Sequence, residues 1–256
     1  MEDLYNYMKW GNYDKQMELL AAMSPEQWSF SGRSDNSILK NYMKYTYWKL
    51  EEEHKVIRTP RYTLFNTGLF TTLYEPIYVY GENSNYDTNN KSDSLNMPDW
   101  RFKGFYTEYD LGNLGIADLP ERANYFSDPS LLIFNVNCRI NVQYRHILED
   151  PDNKKRLEDI LGPDQGNITS LLKGEIDTMK KKVAANYKIA VPQYFNGKIQ
   201  LLLPLCMKDG VTPDLALVVT KNESGNFYQG HTCLTMEMAY NNARLIAKPE
   251  SNWLIP

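Results

Sequence analysis

The sequence has few of the residues on which disulfide-bonded and zinc-binding proteins depend. It contains three cysteines and three histidines in 256 residues. No histidine stands at a metal-ligand spacing from a cysteine, which argues against a structural zinc site. The odd number of cysteines is typical of reduced thiols and not of a disulfide framework. We therefore expect a cytoplasmic protein without a metal site made from cysteine and histidine.

Long apolar runs are also missing. No stretch approaches the ~18 apolar residues of a membrane-spanning helix. The N-terminus, Met1 to Tyr5, lacks the basic start and the apolar segment of a signal peptide. The net charge of −4 gives no overall positive field, so any contact with RNA has to be local and specific. These features predict a protein with no membrane partner.

The common motifs of nucleotide cofactors and of serine hydrolases are absent as well. The sequence has no glycine-rich phosphate loop followed by lysine, no G-x-G-x-x-G and no G-x-S-x-G. No cofactor is therefore predicted. A Mg²⁺ ion stays open, because such a site needs only one or two Asp or Glu residues and water.

The apolar patterns that are present predict an α+β fold. It combines N-terminal helices, a mainly antiparallel sheet and a packed C-terminal helix. Residues 12–23 and 37–53 have helical periodicity, and residues 24–27 have the composition of a capping box that opens a further helix. We divide the chain into an N-terminal helical segment, 1–54, and an α+β domain, 55–256, which together form one continuous globular unit.

Strand patterns begin near residue 55. The clearest local signal is Asn196-Gly197, because this pair between two strand-like runs is the strongest short cue for a β-hairpin. The following run, 199–205, is apolar nearly throughout, which predicts a central strand covered on both faces. Residues 81–99, rich in Asn, Ser and Asp, predict an inserted loop. The other predicted elements are strands at 61–66, 73–80, 100–106, 131–134, 139–144, 214–220 and 227–234, and a helix at 167–190.

The C-terminal segment, 235–248, is the most informative part of the sequence. In a helix, most of its apolar side chains fall on one side, whereas Asn241, Arg244 and Lys248 fall in a row on the other. Asn242 lies on the apolar side, where a buried amide finds hydrogen-bond partners or costs roughly 1–3 kcal/mol. The helix therefore carries one polar row and one buried amide, which is more than packing alone requires.

Three basic residues are candidate phosphate ligands. Arg122, Arg244 and Lys248 qualify because arginine holds phosphate in a bidentate fork, and because the last two point the same way along the helix. Ordinary surface salt bridges are the alternative for these residues. The basic run 180–182 is interpreted as the solvated face of a helix.

His146 is the histidine with the clearest claim to chemistry. It ends the predicted strand that starts at Arg139, and it shares a face with Ile140, Val142 and Tyr144. A core histidine at the end of a strand explains this placement. A general acid–base group is the alternative, since imidazole titrates near neutral pH.

Glu75 is a second candidate for chemistry. It shares a face with apolar residues of the predicted strand 73–80, where an unpaired carboxylate would be costly. Because Pro76 cannot donate to a ladder, this strand is expected at an edge or with a bulge. Either Glu75 is exposed or ion-paired at that edge, or it is a partnered carboxylate near a ligand. In the second case, Asn66 and Thr67 are presented beside it by the preceding turn.

Six short segments occur in one order along the chain: 65–69, 74–78, 146–148, 199–204, 214–218 and 239–246. This ordered set resembles a bacterial family known as DUF3825, a domain of unknown function. The resemblance covers the chain from about residue 25 to the end and implies a role linked to RNA, because members often follow cold-shock or LOTUS-type RNA-binding modules. This sequence shows no such module, so the domain is expected to act alone or with a separate RNA-binding partner.

Two functions are compatible with these residues. The first is a nucleotide- or RNA-end-binding domain, in which amides contact a base edge, arginine holds a phosphate and tyrosine stacks on a ring. Such a site would serve phosphoester cleavage or RNA processing, with His146 and Glu75 as the catalytic groups. The sequence does not decide whether the chain is an enzyme. The predicted ligand-binding residues are Asn66, Thr67, Tyr74, Tyr78, Arg122, Asn241, Arg244 and Lys248.

The second function is a non-catalytic protein-interaction or self-assembling module. Its interface would be the tyrosine-rich strand 73–80, because aromatic residues are enriched at such contacts. A homo-oligomer is the partner that this hypothesis implies. The two hypotheses differ in whether Asn66, Asn241 and Arg244 converge on a pocket or are satisfied within the fold.

Overall fold

A computed structural model describes residues 3–86, 99–162 and 168–256. The predicted α+β class is confirmed, since helices combine with two mostly antiparallel sheets. By contact density the chain divides into two compact units, Met1–Asn124 and Tyr125–Pro256. Among the described residues, no helix has the length and apolar character needed to cross a bilayer.

Unit 1 (Met1–Asn124) is a four-stranded antiparallel sheet, in the order β1-β2-β3-β4, with helices on both faces. Phe65 faces α3, where its ring lies 5.5 Å from that of Tyr47. Leu64 faces the other way and joins Tyr80 and Leu111, a residue of α4, in a second cluster. The elements are α1 (Leu4–Tyr7), α2 (Tyr13–Met23), α3 (Ser37–Glu52), β1 (Ile57–Arg58), β2 (Tyr62–Phe70), β3 (Pro76–Asn83), β4 (Trp100–Tyr106) and α4 (Glu108–Asn113).

The strand predicted at 73–80, at an edge or with a bulge, is wrong in its bounds and is not at an edge, but its pairing with β4 does shift register between Tyr80 and Gly81. The strand is Pro76–Asn83, and it pairs with β2 on one side and with β4 on the other. Pro76 is tolerated because it is the first residue of the strand, where a missing N–H does not interrupt the ladder. The tyrosine-rich strand is therefore interior, with Tyr78 and Tyr80 buried.

Unit 2 (Tyr125–Pro256) is a five-stranded sheet in the order β5-β9-β8-β7-β6. Every pairing is antiparallel except that of β5 with β9, which is parallel. The elements are β5 (Arg139–Val142), α5 (Tyr144–Glu149), α6 (Pro151–Leu161), α7 (Ile168–Ala185), β6 (Val191–Phe195), β7 (Lys198–Leu205), β8 (Leu215–Lys221), β9 (Phe227–Thr235) and α8 (Met236–Arg244).

Helices cover both faces of this second sheet. Odd-numbered residues of β7 and β8, such as Leu203 and Leu217, pack with Ile176 and Met179 of α7 in the main core. Even-numbered residues face α8, whose Ala239 and Tyr240 are buried and which contacts β6, β8 and β9. Burial on both faces explains why β7 is apolar throughout, so the prediction of a central strand is confirmed.

The predicted hairpin at Asn196-Gly197 is also confirmed. These two residues connect β6 to β7, and both adopt positive φ, 47° and 76°. Positive φ at both central positions defines a type I′ turn, which asparagine and glycine tolerate best. Local chemistry was sufficient to identify this turn.

Several predicted elements differ from the structure. Residues 24–27 begin no helix, and residues 131–134 form no strand, since the first two end a 3-10 helix (Pro129–Leu132). The predicted helix 167–190 ends at Ala185. Most of the predicted loop 81–99, namely 87–98, lies outside the described residues, and its first residues belong to β3.

The edge of β9 beyond its pairing with β5 is capped by a buried asparagine. Asn153 is 1% exposed, and its Oδ1 accepts hydrogen bonds from the Cys233 backbone N–H at 3.0 Å and from the Thr232 hydroxyl at 2.7 Å. Arg156 Nη2 donates to the same oxygen at 2.9 Å. One side chain on α6 thus satisfies the backbone of β9 where its neighbouring strand has ended.

We expect Asn153→Ala to lower the free energy of unfolding by about 1–3 kcal/mol, because it leaves the buried Cys233 N–H without its acceptor. Urea denaturation followed by circular dichroism measures this change. Lys155→Ala, at an exposed position on the same helix, is the matched control and should stay within about 0.5 kcal/mol of the wild type. Equal stabilities of the two variants would contradict the capping role.

Candidate functional site

In unit 1, the predicted ligands Asn66 and Thr67 are occupied by the fold. Asn66 is buried; its Oδ1 accepts the Gly68 N–H at 2.8 Å and its Nδ2 donates to the Pro120 carbonyl at 3.3 Å. The Thr67 hydroxyl donates to the Ile77 carbonyl at 2.7 Å. Both side chains hold β2 where its pairing with β3 shifts register, between Asn66 and Phe70, which corresponds to the alternative that they are satisfied within the fold. The turn predicted after residue 66 is therefore an irregularity inside β2, which continues to Phe70.

Glu75 and Tyr74 lie in the turn between β2 and β3, and not on a strand face as predicted. Glu75 is exposed, and its Oε2 accepts a hydrogen bond from the Thr71 hydroxyl at 3.3 Å. Tyr74 is 85% exposed with φ of 61°, and the neighbouring Leu73 is 80% exposed. Glu75 therefore stays in solvent and carries no cost of burial, because β3 starts at Pro76, the residue after it.

The remaining predicted residues of unit 1 are Tyr78 and Arg122. Tyr78 is 5% exposed, and burial raises the pKa of its phenol, with a further contribution from Glu108. A buried ring of this kind packs in the core and does not present a stacking surface. Arg122 is exposed, and its carbonyl accepts a hydrogen bond from Lys55 Nζ at 3.0 Å. Its role as a phosphate ligand stays a prediction.

In unit 2, the three polar residues predicted to form a row on the C-terminal helix differ in their burial. Arg244 is buried, whereas Lys248 follows the helix, is exposed and lines a cavity of about 180 Å³ together with Lys188. Asn241 Oδ1 is buried and has no hydrogen-bond partner among the described residues. The ligand roles of these three predicted residues stay predictions.

The buried amide predicted at Asn242 is part of a hydrogen-bonded chain of side chains. Asn242 Nδ2 donates to Gln193 Oε1 at 3.1 Å, and Gln193 Nε2 donates to Gln200 Oε1 at 2.8 Å. Gln200 Nε2 then donates to the Thr220 hydroxyl at 2.9 Å. This chain links α8 to three successive strands. Asn242 is half-buried and not fully buried as predicted, and its amide is bonded within the fold.

His146 lies in α5 and not at the end of a strand, because β5 stops at Val142. Its side chain is exposed and faces His231 of β9, with 6.4 Å between the ring centroids. His231 occupies a β-bulge: Gly230 pairs with Val219 and Thr232 with Val218, which leaves His231 without a partner on β8. Bulges re-aim side chains and recur next to active sites.

Two hydrogen-bonded contacts fix the helices that lie beside this bulge. The Gln143 N–H donates to the Gly230 carbonyl at 2.8 Å, which sets the start of α5 against β9. Arg156 Nη2 on α6 lies 3.4 Å from the Thr232 hydroxyl, next in sequence to His231. The Nε atom of Arg156 is buried and has no partner among the described residues. The two histidines and a cation are thus held by regular elements.

The surroundings of His231 favour its neutral form. Burial lowers the pKa of His231 below its ordinary value of 6.5, and the nearby His146 lowers it further. A hydrogen bond to the Gln229 carbonyl acts in the opposite direction. A neutral imidazole close to a second imidazole is suited to accept a proton at neutral pH.

A cavity of about 330 Å³ lies beside β5, and we call it the β5 cavity. Arg139 and Lys180 line it together with Asn141, and no acidic residue occurs among the described residues of its lining. Lys180 Nζ also lies 3.6 Å from Asp177 Oδ1, a neighbour on α7. The other lining residues are mostly apolar and come from three segments: Phe134, Val136, Cys138, Ile140, Val183 and Ala184.

Two further groups in unit 2 have a structural role. The buried carboxylate of Glu175 accepts the Cys206 backbone N–H at 3.0 Å and lies 4.0 Å from Lys182 Nζ. Burial raises the pKa of the Cys206 thiol, which disfavours its nucleophilic thiolate. Among the described residues, no group of three or more His, Cys, Asp or Glu side chains converges as a metal site would require.

The sequence interpretation missed His231, Arg139 and Lys180 as site residues. Arg139 begins the predicted strand that leads to His146, and Lys180 was assigned to a solvated helix face. Neither assignment revealed that β5 and α7 share a cavity, because their contact is long-range. His231 carried no local signal, since a bulge depends on the partner strand.

We expect nuclear magnetic resonance to find the pKa of His231 below 6.5, its ordinary value. The unfolded chain then takes up this proton first, so the contribution of His231 to stability falls as the pH drops from that value to the folded pKa. His146→Gln should raise the pKa of His231 without restoring the ordinary value, because burial is the larger cause. A pKa of His231 at or above the ordinary value would contradict this description.

Comparison with known proteins identifies the family. No curated protein and no solved structure matches the chain. The family model described as a domain of unknown function, DUF3825, matches residues 19–253, a span that includes both units and nearly the whole sequence. The chain belongs to the DUF3825 family.

Proposed function

We propose that this chain binds a nucleotide or an RNA end, and that the β5 cavity receives the phosphate-bearing part of the ligand. The observation that carries the proposal is the composition of the cavity wall, with two cations, one amide and no acid among its described residues. Its volume of about 330 Å³ lies at the small end of ligand pockets, which range over ~300–1,000 Å³.

The charges of the wall favour a phosphate group. Arg139 is exposed on β5, and its guanidinium offers a bidentate fork that fits two phosphate oxygens. Lys180 approaches from α7 as a compact second charge, and its pairing with Asp177 is a surface ion pair that contributes little. A dianionic phosphate would be attracted to both cations without repulsion from a lining carboxylate.

The uncharged part of the wall favours a ligand with an apolar body and a polar edge. Val136 is 44% exposed and Ile140 is half-buried, so both present apolar surface toward a ligand. Asn141 carries both a donor and an acceptor, which is the combination that contacts the edge of a base. A nucleoside phosphate has all three features that the wall recognises.

We propose a protein-interaction role as the second function. Because strand β3 is interior, we assign the interface to the turn between β2 and β3 and not to the strand predicted at 73–80. Leu73 and Tyr74 project there at 80% and 85% exposure, and Tyr74 holds a positive φ that is costly for a bulky residue. Neighbouring exposed apolar side chains of this kind mark contact surfaces. A second copy of the chain is the partner proposed for this turn.

We expect light scattering after gel filtration to show a mass that rises with protein concentration if the turn self-associates. The double substitution Leu73→Ser and Tyr74→Ser should abolish the rise, because it removes the exposed apolar surface. Val211→Ser, at another exposed apolar position, is the matched control. A monomeric mass for the wild type from micromolar to millimolar concentration would remove this second proposal.

The nucleotide proposal is tested by calorimetric titration of the protein with the four nucleoside monophosphates and with short RNAs bearing a 3′- or a 5′-phosphate. We expect Arg139→Ala and Lys180→Ala each to weaken binding by about tenfold or more, because losing a hydrogen bond to a charged group costs ~1.5–3 kcal/mol. Arg145→Ala is the matched control, since Arg145 is exposed on α5, pairs with Glu149 and is absent from the cavity wall.

Arg244→Ala distinguishes the β5 cavity from the predicted site on the C-terminal helix. Loss of binding in this variant with unchanged stability, while the Arg139 and Lys180 variants bind normally, would move the site to α8. A well-folded wild type that binds none of these ligands would contradict the proposal altogether.

A further inference from the structure

We infer that His146 and His231 form an acid–base pair that cleaves a phosphodiester bond of an RNA strand. This inference rests on the proposed function, because the β5 cavity supplies the binding site for the strand. It adds a reaction, a second catalytic residue and a class of product to simple binding.

The spacing of the rings is the first support. Their centroids lie 6.4 Å apart with an angle of 35° between the planes. A phosphate group that makes a hydrogen bond of about 2.8 Å on either side can contact both imidazoles across such a gap. A base and an acid on the same phosphate are what phosphodiester transfer requires.

The rigidity of the supporting elements is the second support. His231 is aimed by a β-bulge inside a five-stranded sheet, and His146 sits on a helix whose start is bonded to Gly230 at 2.8 Å. The neighbouring Thr232 is bonded to the buried Asn153 at 2.7 Å. The pair therefore needs no rearrangement of its elements to assemble.

The charges around the pair are the third support. Arg156 donates a hydrogen bond to the hydroxyl of Thr232, the residue that follows His231, and its buried Nε has no partner among the described residues. On α5, Arg145 is paired with Glu149 at 2.8 Å, so their charges offset each other. Asp150, the N-cap of α6, accepts the Asn153 N–H at 2.9 Å. We assign the Arg156 guanidinium, which is bonded to the residue after His231, to the charge that develops on the phosphate.

The position of the β5 cavity relative to the pair is the fourth support. Arg139 lines the cavity at the start of β5, and Val142 at its end pairs with Gly230, next to His231. The two points are three residue steps apart along the strand, a distance of about 10 Å at ~3.3 Å per step. A nucleotide held in the cavity would thus place a neighbouring phosphate close to the histidines.

The reaction uses the 2′-hydroxyl of the RNA as nucleophile. Neutral His231 accepts the hydroxyl proton while O2′ forms a bond to phosphorus. The bond from phosphorus to O5′ breaks, and protonated His146 gives its proton to the leaving O5′. The products are a 2′,3′-cyclic phosphate and a 5′-hydroxyl. Water then opens the cyclic ester with the two roles exchanged, which returns both histidines to their initial states.

The inference is tested with a short oligoribonucleotide, its products being identified by mass spectrometry. We expect His146→Gln and His231→Gln each to slow cleavage by about 10²–10⁴-fold, the usual contribution of a general acid or base. Binding of nucleoside monophosphates and thermal stability should stay unchanged. His54→Asn is the matched control, since His54 lies in unit 1 with a positive φ of 55° that asparagine tolerates.

Two further readouts separate catalysis from a structural role. An oligonucleotide with 2′-deoxyribose at the cleaved position should bind and resist cleavage. The rate of the wild type should show a bell-shaped pH profile that loses one limb in each single variant.

The outcomes distinguish this inference from the proposed function. Wild-type protein that binds RNA without cleaving it, or histidine variants that cleave at the wild-type rate, would overturn the inference and leave the proposed function intact. Absence of both binding and cleavage would overturn the two together. Cleavage that persists in the double histidine variant would identify a contaminating nuclease and also reject the pair.

Discussion

Parallel pairing of β5 with β9 positions both parts of the candidate site in unit 2. The four residue pairs from Arg139–Phe227 to Val142–Gly230 are the only parallel register among the described strands. The pairing leaves β5 at the edge of the sheet, where it forms one wall of the β5 cavity. At its other end, the pairing stops at the residue before His231, and the chain turns directly into the helix that carries His146.

Once β5 ends, the edge of β9 needs other partners. The Gln143 N–H donates to the Gly230 carbonyl at 2.8 Å, and Asn153 Oδ1 accepts the Cys233 N–H at 3.0 Å. Arg156 adds a side-chain contact with the Thr232 hydroxyl at 3.4 Å. These groups belong to the connection and helices that follow β5, so the residues that complete the sheet also bring His146 to His231. A requirement of the fold, that backbone polar groups be satisfied, therefore produces the arrangement to which we assign chemistry.

Local signals explain which parts of the fold were predictable. The Asn196-Gly197 turn, the apolar strand β7 and the C-terminal helix each depend on residues adjacent in sequence, and each is confirmed. The helix, however, ends at Arg244, so Lys248 lies beyond it and does not continue the predicted polar row. The buried amide at Asn242 was predicted from helical periodicity alone. Its partner Gln193 was not, because it lies on another strand. The capping composition at 24–27 failed because no amphipathic helix follows it.

The candidate site was less predictable, because its members meet only through long-range pairing. His146 was selected from the sequence on a strand periodicity that ends at Val142, and its partner depends on a bulge set by β8. Asn66 and Thr67 looked like ligands because they are polar residues near a predicted turn, yet strand β2 itself uses their hydrogen bonds at its register shift. The type and spacing of polar residues in the sequence therefore identified candidates for a site. They did not distinguish residues with a structural role from residues with a functional one.

The central claim is that unit 2 binds a phosphate-bearing ligand beside β5. Mapping of backbone amide resonances during titration with uridine monophosphate measures this most directly. We predict that the largest shifts lie at Arg139, Asn141 and Lys180, with smaller shifts at His146 and His231. Shifts confined to the C-terminal helix or to unit 1, or no shifts in a well-folded protein, would contradict the claim.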